Sequence, residues 1–265
     1  MPFVTSGGVR IRYEVEGNGP PLLLHIGFIG AIEDWYDAGY VAALRDAYQL
    51  IIIDPRGQGQ SDKPKDAEAY SRSERIGDVC AVLDAVGVAQ AHYWGYSMGG
   101  QIGFGLGVFA SDRVSSLILG GANPYPYSSR RATVEEHPMF QALQRGMAGI
   151  VASSEQGDPE VWARGEKRSR WLAADTVALS AAFRATFANP GLTDEVCSVQ
   201  TPTLIYCGGS DDPEQIELTA RSMPNASYVE LEGLDHGAAF NRIEQILPSV
   251  TEFLAQVEQT TQVTP

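Results

Sequence analysis

His92-Tyr93-Trp94-Gly95-Tyr96-Ser97-Met98-Gly99 is the stretch that decides how this chain is built. A short apolar run, His92 to Trp94, meets a Gly-x-Ser-x-Gly pattern, and small residues continue from Gly99 to Ala110. A buried strand followed by a helical segment is the setting in which this pattern lifts a serine hydroxyl above the end of a sheet. The glycines are required because the serine backbone is strained and neighbouring segments must pass close to it. Ser97 is therefore a candidate nucleophile, and the alternative is an ordinary glycine-rich strand-to-helix turn.

Working outward, four further runs are almost continuously apolar: Pro21 to Ile26, Gln49 to Ile53, Val114 to Leu119 and Thr203 to Tyr206. Strands covered on both faces by helices read this way, so a central parallel sheet is expected. Val9 to Val15 alternates apolar and polar residues, which predicts a half-buried strand opening the sheet from an edge. Ser71-Arg72-Ser73-Glu74 has the form of a capping box ahead of Ile76, Val79, Cys80, Leu83 and Val86, apolar at helical spacing as far as Gly87. Asn241 to Val257 repeats that spacing with Pro248 as a kink, and the tail after Gln259 reads as frayed. Strand and helix in alternation predict an α/β doubly wound sheet. From Asn123 to about Asn189 the rhythm breaks into aromatic and amphipathic helical patterns, read as a helical insertion over the sheet ends.

The chain has 265 residues, a hydrophobic share of 44% and a charged share of 20%, which suits a folded globular protein and excludes disorder and coiled coil. The formal charge of −14 repels phosphate backbones, so no nucleic-acid partner is expected. Cys80, Cys197 and Cys207 form neither a disulfide framework nor a zinc spacing, which suits a reducing compartment. The N-terminal residues lack a signal-peptide pattern, and no apolar run approaches the ~18 residues a membrane span needs. A cytoplasmic protein without a membrane partner, monomeric or a homodimer, is the expectation.

On the residues around Ser97 the chain resembles the α/β-hydrolase-fold proteins over nearly its whole length apart from the insertion. The resemblance implies a mostly parallel central sheet flanked by helices, with residues 1–122 and 190–265 as the core and 123–189 as a helical cap. It also implies the chain order nucleophile, acid, base. Tyr206-Cys207-Gly208-Gly209-Ser210-Asp211-Asp212-Pro213 resembles the family's acid loop, in which an Asp follows a strand-end Gly by three positions. Asp211 fits that offset; Asp212 is the alternative, and is otherwise the N-cap of a helix beginning at Pro213. Leu231-Glu232-Gly233-Leu234-Asp235-His236-Gly237 resembles the histidine loop, with His236 as the base and Asp235 as a turn residue. His25, His92 and His137 are read as packing or surface histidines, although His137 is placed to touch a substrate.

A serine hydroxyl is a poor nucleophile until an imidazole removes its proton, and a carboxylate must hold that imidazole's tautomer. Ser97, His236 and Asp211 would fill these roles. The backbone amide of Met98 would be one donor to the oxyanion. Ile26-Gly27-Phe28-Ile29-Gly30 resembles the family's oxyanion loop, with the Phe28 amide as the second donor. Here the sequence departs from the family's His-Gly, because His25-Ile26-Gly27 stands in its place. Asp54-Pro55-Arg56-Gly57-Gln58-Gly59-Gln60-Ser61-Asp62 resembles a family loop of architectural role; it lacks the residues of a P-loop or an EF-hand, so no metal and no cofactor are expected.

Relatives in this fold that open epoxides or displace halide attack with an Asp at the elbow. A serine there points to acyl transfer on a small-molecule ester or lactone. A carbon–carbon bond hydrolase of vinylogous diketones, a ligand receptor of the same fold and a peracid-forming enzyme stay open as alternatives. Tyr125, Tyr127, Phe140, Trp162, Trp171, Phe183 and Phe187 are expected mostly in the insertion's own core, with a few facing a pocket for medium-sized, largely uncharged substrates. The basic run from Arg164 to Arg170 is either a solvated helix face or a site for a substrate carboxylate.

Overall fold

Alternate residues along the apolar strands face opposite layers, and this parity sorts the helices of the protein into two sets. The computed structural model describes residues 1–127, 133–162 and 166–263. Its sheet comprises β1 (Phe3–Ser6), β2 (Val9–Glu16), β3 (Pro21–His25), β4 (Gln49–Ile53), β5 (Ala91–Tyr96), β6 (Val114–Gly120), β7 (Thr203–Gly208) and β8 (Ala226–Leu231). The strand order is β1-β2-β4-β3-β5-β6-β7-β8. β1 and β2 pair antiparallel, as do β2 and β4; every other pairing is parallel.

Leu22, Leu24, Leu50, Ile52, Trp94, Ile118 and Leu204 bury one face against α1 (Ile32–Asp37), α2 (Tyr40–Leu44), α11 (His236–Asn241) and α12 (Ile243–Val263). Leu23, Ile51, Tyr93, Leu117 and Ile205 bury the other against α3 (Arg72–Val86), α4 (Met98–Phe109) and α10 (Pro213–Ser222). Fully burying such aliphatic side chains contributes about 1.5–3 kcal/mol each, and here both faces do so. That two-sided burial is why these strands read as unbroken apolar runs.

Three expectations need correction. β2 is not the edge, because the short strand β1 pairs along its outer side. The Ser71 side chain accepts from the Glu74 amide at 3.3 Å, and Gly87 closes α3 at φ 77°, but the Glu74 carboxylate turns to Arg56 rather than back to Ser71, so the capping box is half made. The Asn241 to Val257 pattern is divided between α11 and α12 at Arg242, and α12 runs beyond Gln259 to Val263. Among the described residues no helix is long and apolar enough to cross a membrane.

Between β6 and β7 lie α5 (Pro138–Arg145), α6 (Met147–Gly157), α7 (Pro159–Trp162), α8 (Lys167–Leu172) and α9 (Thr176–Phe187). Phe140, Leu143, Met147, Ile150, Leu179, Phe183 and Phe187 form an apolar cluster of their own, and Ile29 from the loop after β3 is buried among them. The insertion is thereby joined to the loop that runs past Ser97.

Candidate active site

β5 ends at Tyr96 and α4 begins at Met98, so Ser97 alone makes the turn between them, at φ 55° and ψ −115°. A positive φ at a non-glycine residue costs about 1–3 kcal/mol and persists where the surroundings enforce it. Here the Ser97 amide donates to the Gly120 carbonyl at 2.7 Å. A Cβ on Gly95 would stand 2.3 Å from the Gly99 carbonyl oxygen, and one on Gly99 would stand 2.1 Å from that of His25. Both flanking glycines are therefore obligatory.

The three polar residues named from the sequence meet. His236 Nε2 lies 3.0 Å from Ser97 Oγ, and His236 Nδ1 lies 2.7 Å from Asp211 Oδ1. A neutral imidazole that donates from Nδ1 to the carboxylate leaves Nε2 as an acceptor for the serine hydroxyl. The second Asp211 oxygen accepts from the Gly208 amide at 3.2 Å, which fixes the carboxylate. The backbone of His236 is held by two residues that sequence reading missed: Ser210 Oγ accepts from the His236 amide at 3.1 Å, and the Tyr96 hydroxyl donates to the His236 carbonyl at 2.5 Å. Tyr96 is the first variable position of the Gly-x-Ser-x-Gly pattern, so the turn that aims the serine also steadies the histidine. The His236 side chain is 46% exposed and the Asp211 side chain 10%, so the ring opens to a cavity while its carboxylate is sheltered.

Asp212 stands at the N-cap of α10 as expected, yet at φ 67° and without a side-chain cap hydrogen bond. Asp235 is more than a turn residue: its carboxylate caps α11 by accepting from the Ala238 amide at 2.7 Å. His25 and His92 are packing histidines. His25 Nδ1 lies 2.7 Å from the Tyr93 hydroxyl, which donates to the Gly99 carbonyl at 2.7 Å, so His25 braces the first turn of α4. Burial pushes the His25 imidazole down to about 3, and it stays neutral. His92 Nδ1 pairs with Ser116 Oγ at 2.8 Å, and burial pushes this imidazole down to about 4.

Met98 is the first residue of α4, and its amide belongs to the helix's unsatisfied first turn. Among the described residues, neither its amide nor that of Phe28 donates to a protein acceptor. Phe28 sits in a turn closed by the Gly30 amide on the Gly27 carbonyl at 3.3 Å, with Ile29 at φ 70°. A Cβ on Gly27 would stand 2.8 Å from Ser97 Cβ, so this loop lies directly against the serine. Gln58, from the Asp54 to Asp62 loop, donates to the Gly27 carbonyl at 3.3 Å. Asp54 is buried and accepts from the Ile32 and Gln60 amides, each at 2.8 Å, and from Arg12 at 3.2 Å, which is an architectural role.

Two cavities meet at Ser97 and His236. One, of about 510 Å³, extends past Phe28 to Trp162, Lys167 and Trp171. The other, of about 400 Å³, extends past Asn123 to Tyr125, Tyr127 and His137. Four of the seven aromatic residues named from the sequence thus line one of these two cavities, while Phe140, Phe183 and Phe187 pack in the insertion's cluster. In the basic run, Arg168 pairs with Glu155 on the surface at 2.8 Å. Lys167 and Arg170 turn inward instead, reaching Asp34 at 3.2 and 3.4 Å, and Arg170 also reaches Asp37 at 2.7 Å. Arg164 and Gly165 lie outside the described residues.

A family model described as alpha/beta hydrolase fold matches residues 20–158. The chain belongs to the α/β-hydrolase family. This α/β hydrolase is 37% identical over 119 residues to a protein of Azorhizobium caulinodans that bears the name carbamate hydrolase, a match of 45% of this chain and 43% of that one. The chain is 29% identical to 3-oxoadipate enol-lactonase 1 of Acinetobacter baylyi over 213 residues, 74% of this chain and 75% of the relative. Among solved structures it resembles the enol-lactonase from Burkholderia xenovorans LB400, with a TM-score of 0.78 and 26% identity over 96% of this chain and 100% of that one.

Proposed function

We propose that this α/β hydrolase cleaves carboxylic esters or lactones through an acyl-serine intermediate, with Ser97, His236 and Asp211 as its catalytic residues. The observation that carries the proposal is the unbroken relay from Asp211 through both nitrogens of His236 to Ser97 Oγ, with spacings of 2.7 and 3.0 Å. The likeness to two enol-lactonases supports the substrate class.

In this reading Ser97 Oγ bonds to the carbonyl carbon while its proton passes to His236 Nε2. The carbonyl electron pair moves onto oxygen, where the Phe28 and Met98 amides receive it, each worth about 3–4 kcal/mol to the transition state. When the tetrahedral centre collapses, the bond to the leaving oxygen breaks and that oxygen takes the proton from His236. Water, deprotonated by the same nitrogen, then attacks the acyl carbon; the acid leaves, and Ser97 recovers its proton. Asp211 keeps the imidazole in the tautomer that accepts at Nε2 and stabilises the imidazolium. Residues 123–189 act as the cap that walls the two cavities.

The test is intact-mass spectrometry after brief exposure to p-nitrophenyl butyrate and to a small lactone panel, beside steady-state turnover. An acyl adduct on the wild type, absent from Ser97→Ala, with kcat lowered by about 10⁶ in that variant, is the expected result. Undiminished turnover by a folded Ser97→Ala protein would refute the assignment.

A further inference from the structure

We infer that Lys167 makes the larger cavity a subsite for the arm of an uncharged substrate that carries a second carbonyl, such as an oxo ester; this rests on the ester or lactone reading above. Lys167 is 8% exposed, a rare condition for lysine, and it lines the same cavity as Ser97 and His236. Its ammonium stands 5.8 Å from the ring centres of both Trp162 and Trp171, whose planes meet at 80° and form a corner around it. Among the described residues its one ion-pair partner is Asp34, at 3.2 Å. An ammonium carries three donors, so N–H groups remain for an acceptor in the cavity.

The local charge selects which acceptor. Lys167 and Arg170 face Asp34 and Asp37, and these four charges cancel. Asp158 and Asp235 line the cavity as well; Asp158 pairs with Arg242 at 3.8 Å, and Asp235 has no ion-pair partner among the described residues, so a substrate carboxylate meets a net negative charge. A ketone or second ester carbonyl accepts a hydrogen bond from the ammonium without that repulsion. The indole faces around the cation give the rest of the arm an apolar surface, and a site built to donate a buried hydrogen bond rejects the analogue that lacks the acceptor.

The test compares plain alkyl p-nitrophenyl esters with oxo esters whose ketone steps outward one carbon at a time, once along the acyl chain and once along the chain of an alkyl alcohol, beside matched half-esters that end in a carboxylate. In the wild type, kcat/KM for one ketone position should exceed that of the plain ester by about tenfold, and half-esters should fall below it. The oxo-to-plain ratio should fall about tenfold in Lys167→Met and in the charge-balanced Lys167→Met/Asp34→Asn protein, and recover in Lys167→Arg. Dissociation constants of the same esters on Ser97→Ala, read from tryptophan fluorescence, should show the same preference without turnover. No ketone preference in either series, a preference that survives both Lys167 variants, or favoured half-esters would each overturn the inference. Binding preference without wild-type cleavage would instead refute the hydrolytic reading and leave the subsite standing.

Discussion

Asp211 and Asp212 are adjacent in the sequence and separated by chemistry, since only Asp211 reaches His236, at 2.7 Å. Asp211→Asn should therefore lower kcat by about 10⁴, because the amide favours the wrong imidazole tautomer, while Asp212→Asn should change it less than about threefold. Steady-state kinetics on the two purified variants separates the outcomes. A second residue-scale consequence concerns His25 and His92, whose folded values fall from 6.5 to about 3 and about 4 through burial. Below about pH 6.5 the unfolded chain takes up protons that these folded histidines refuse, so stability present above that value is lost as the pH falls toward 3. Each histidine contributes a slope of at most about 1.4 kcal/mol per pH unit. Urea midpoints for wild type and His25→Gln between about pH 7 and about pH 4 should show a shallower decline in the variant, and the difference isolates the histidine from the carboxylates that titrate in the same range.

At the scale of elements, α12 carries Pro248 on its exposed side five residues after it begins. A proline inside a helix forfeits one backbone hydrogen bond and crowds the preceding turn. Pro248→Ala should raise stability by about 1–3 kcal/mol, read as a higher melting temperature with unchanged activity. The elements legible from sequence were those with a single dominant signal. Gln49 to Ile53 is buried on both sides, and α3 carries its cap and its glycine stop in the chain itself. β1 and β8 lie at the two sheet edges, and their burial is too uneven to read as a strand pattern. The basic run looked like a solvated helix face because its partners, Asp34 and Asp37, belong to α1, more than a hundred residues earlier in the chain.

For the whole molecule, the formal charge of −14 is a self-repulsion that the compact state bears more heavily than the extended chain. Adding salt screens it over about 10 Å at 0.1 M. The melting temperature should accordingly rise by a few degrees between about 10 and about 150 mM sodium chloride, measured by calorimetry. The overall plan and the grouping of Ser97, Asp211 and His236 were legible because chain order and loop spacing carry the resemblance to the family. A pocket beneath the insertion is expected from the sequence, but its division into two cavities is not legible there, since it arises only where the insertion and the sheet ends confront each other. One feature at that boundary links the two layers mechanically. Ile29 holds a branched side chain at φ 70° in the turn beside Ser97, while its tip is buried among Phe140, Leu143 and Phe183 of the insertion. It works as a tie: the packing of the insertion grips this twisted residue, and the turn it anchors is the one that carries the Phe28 N–H.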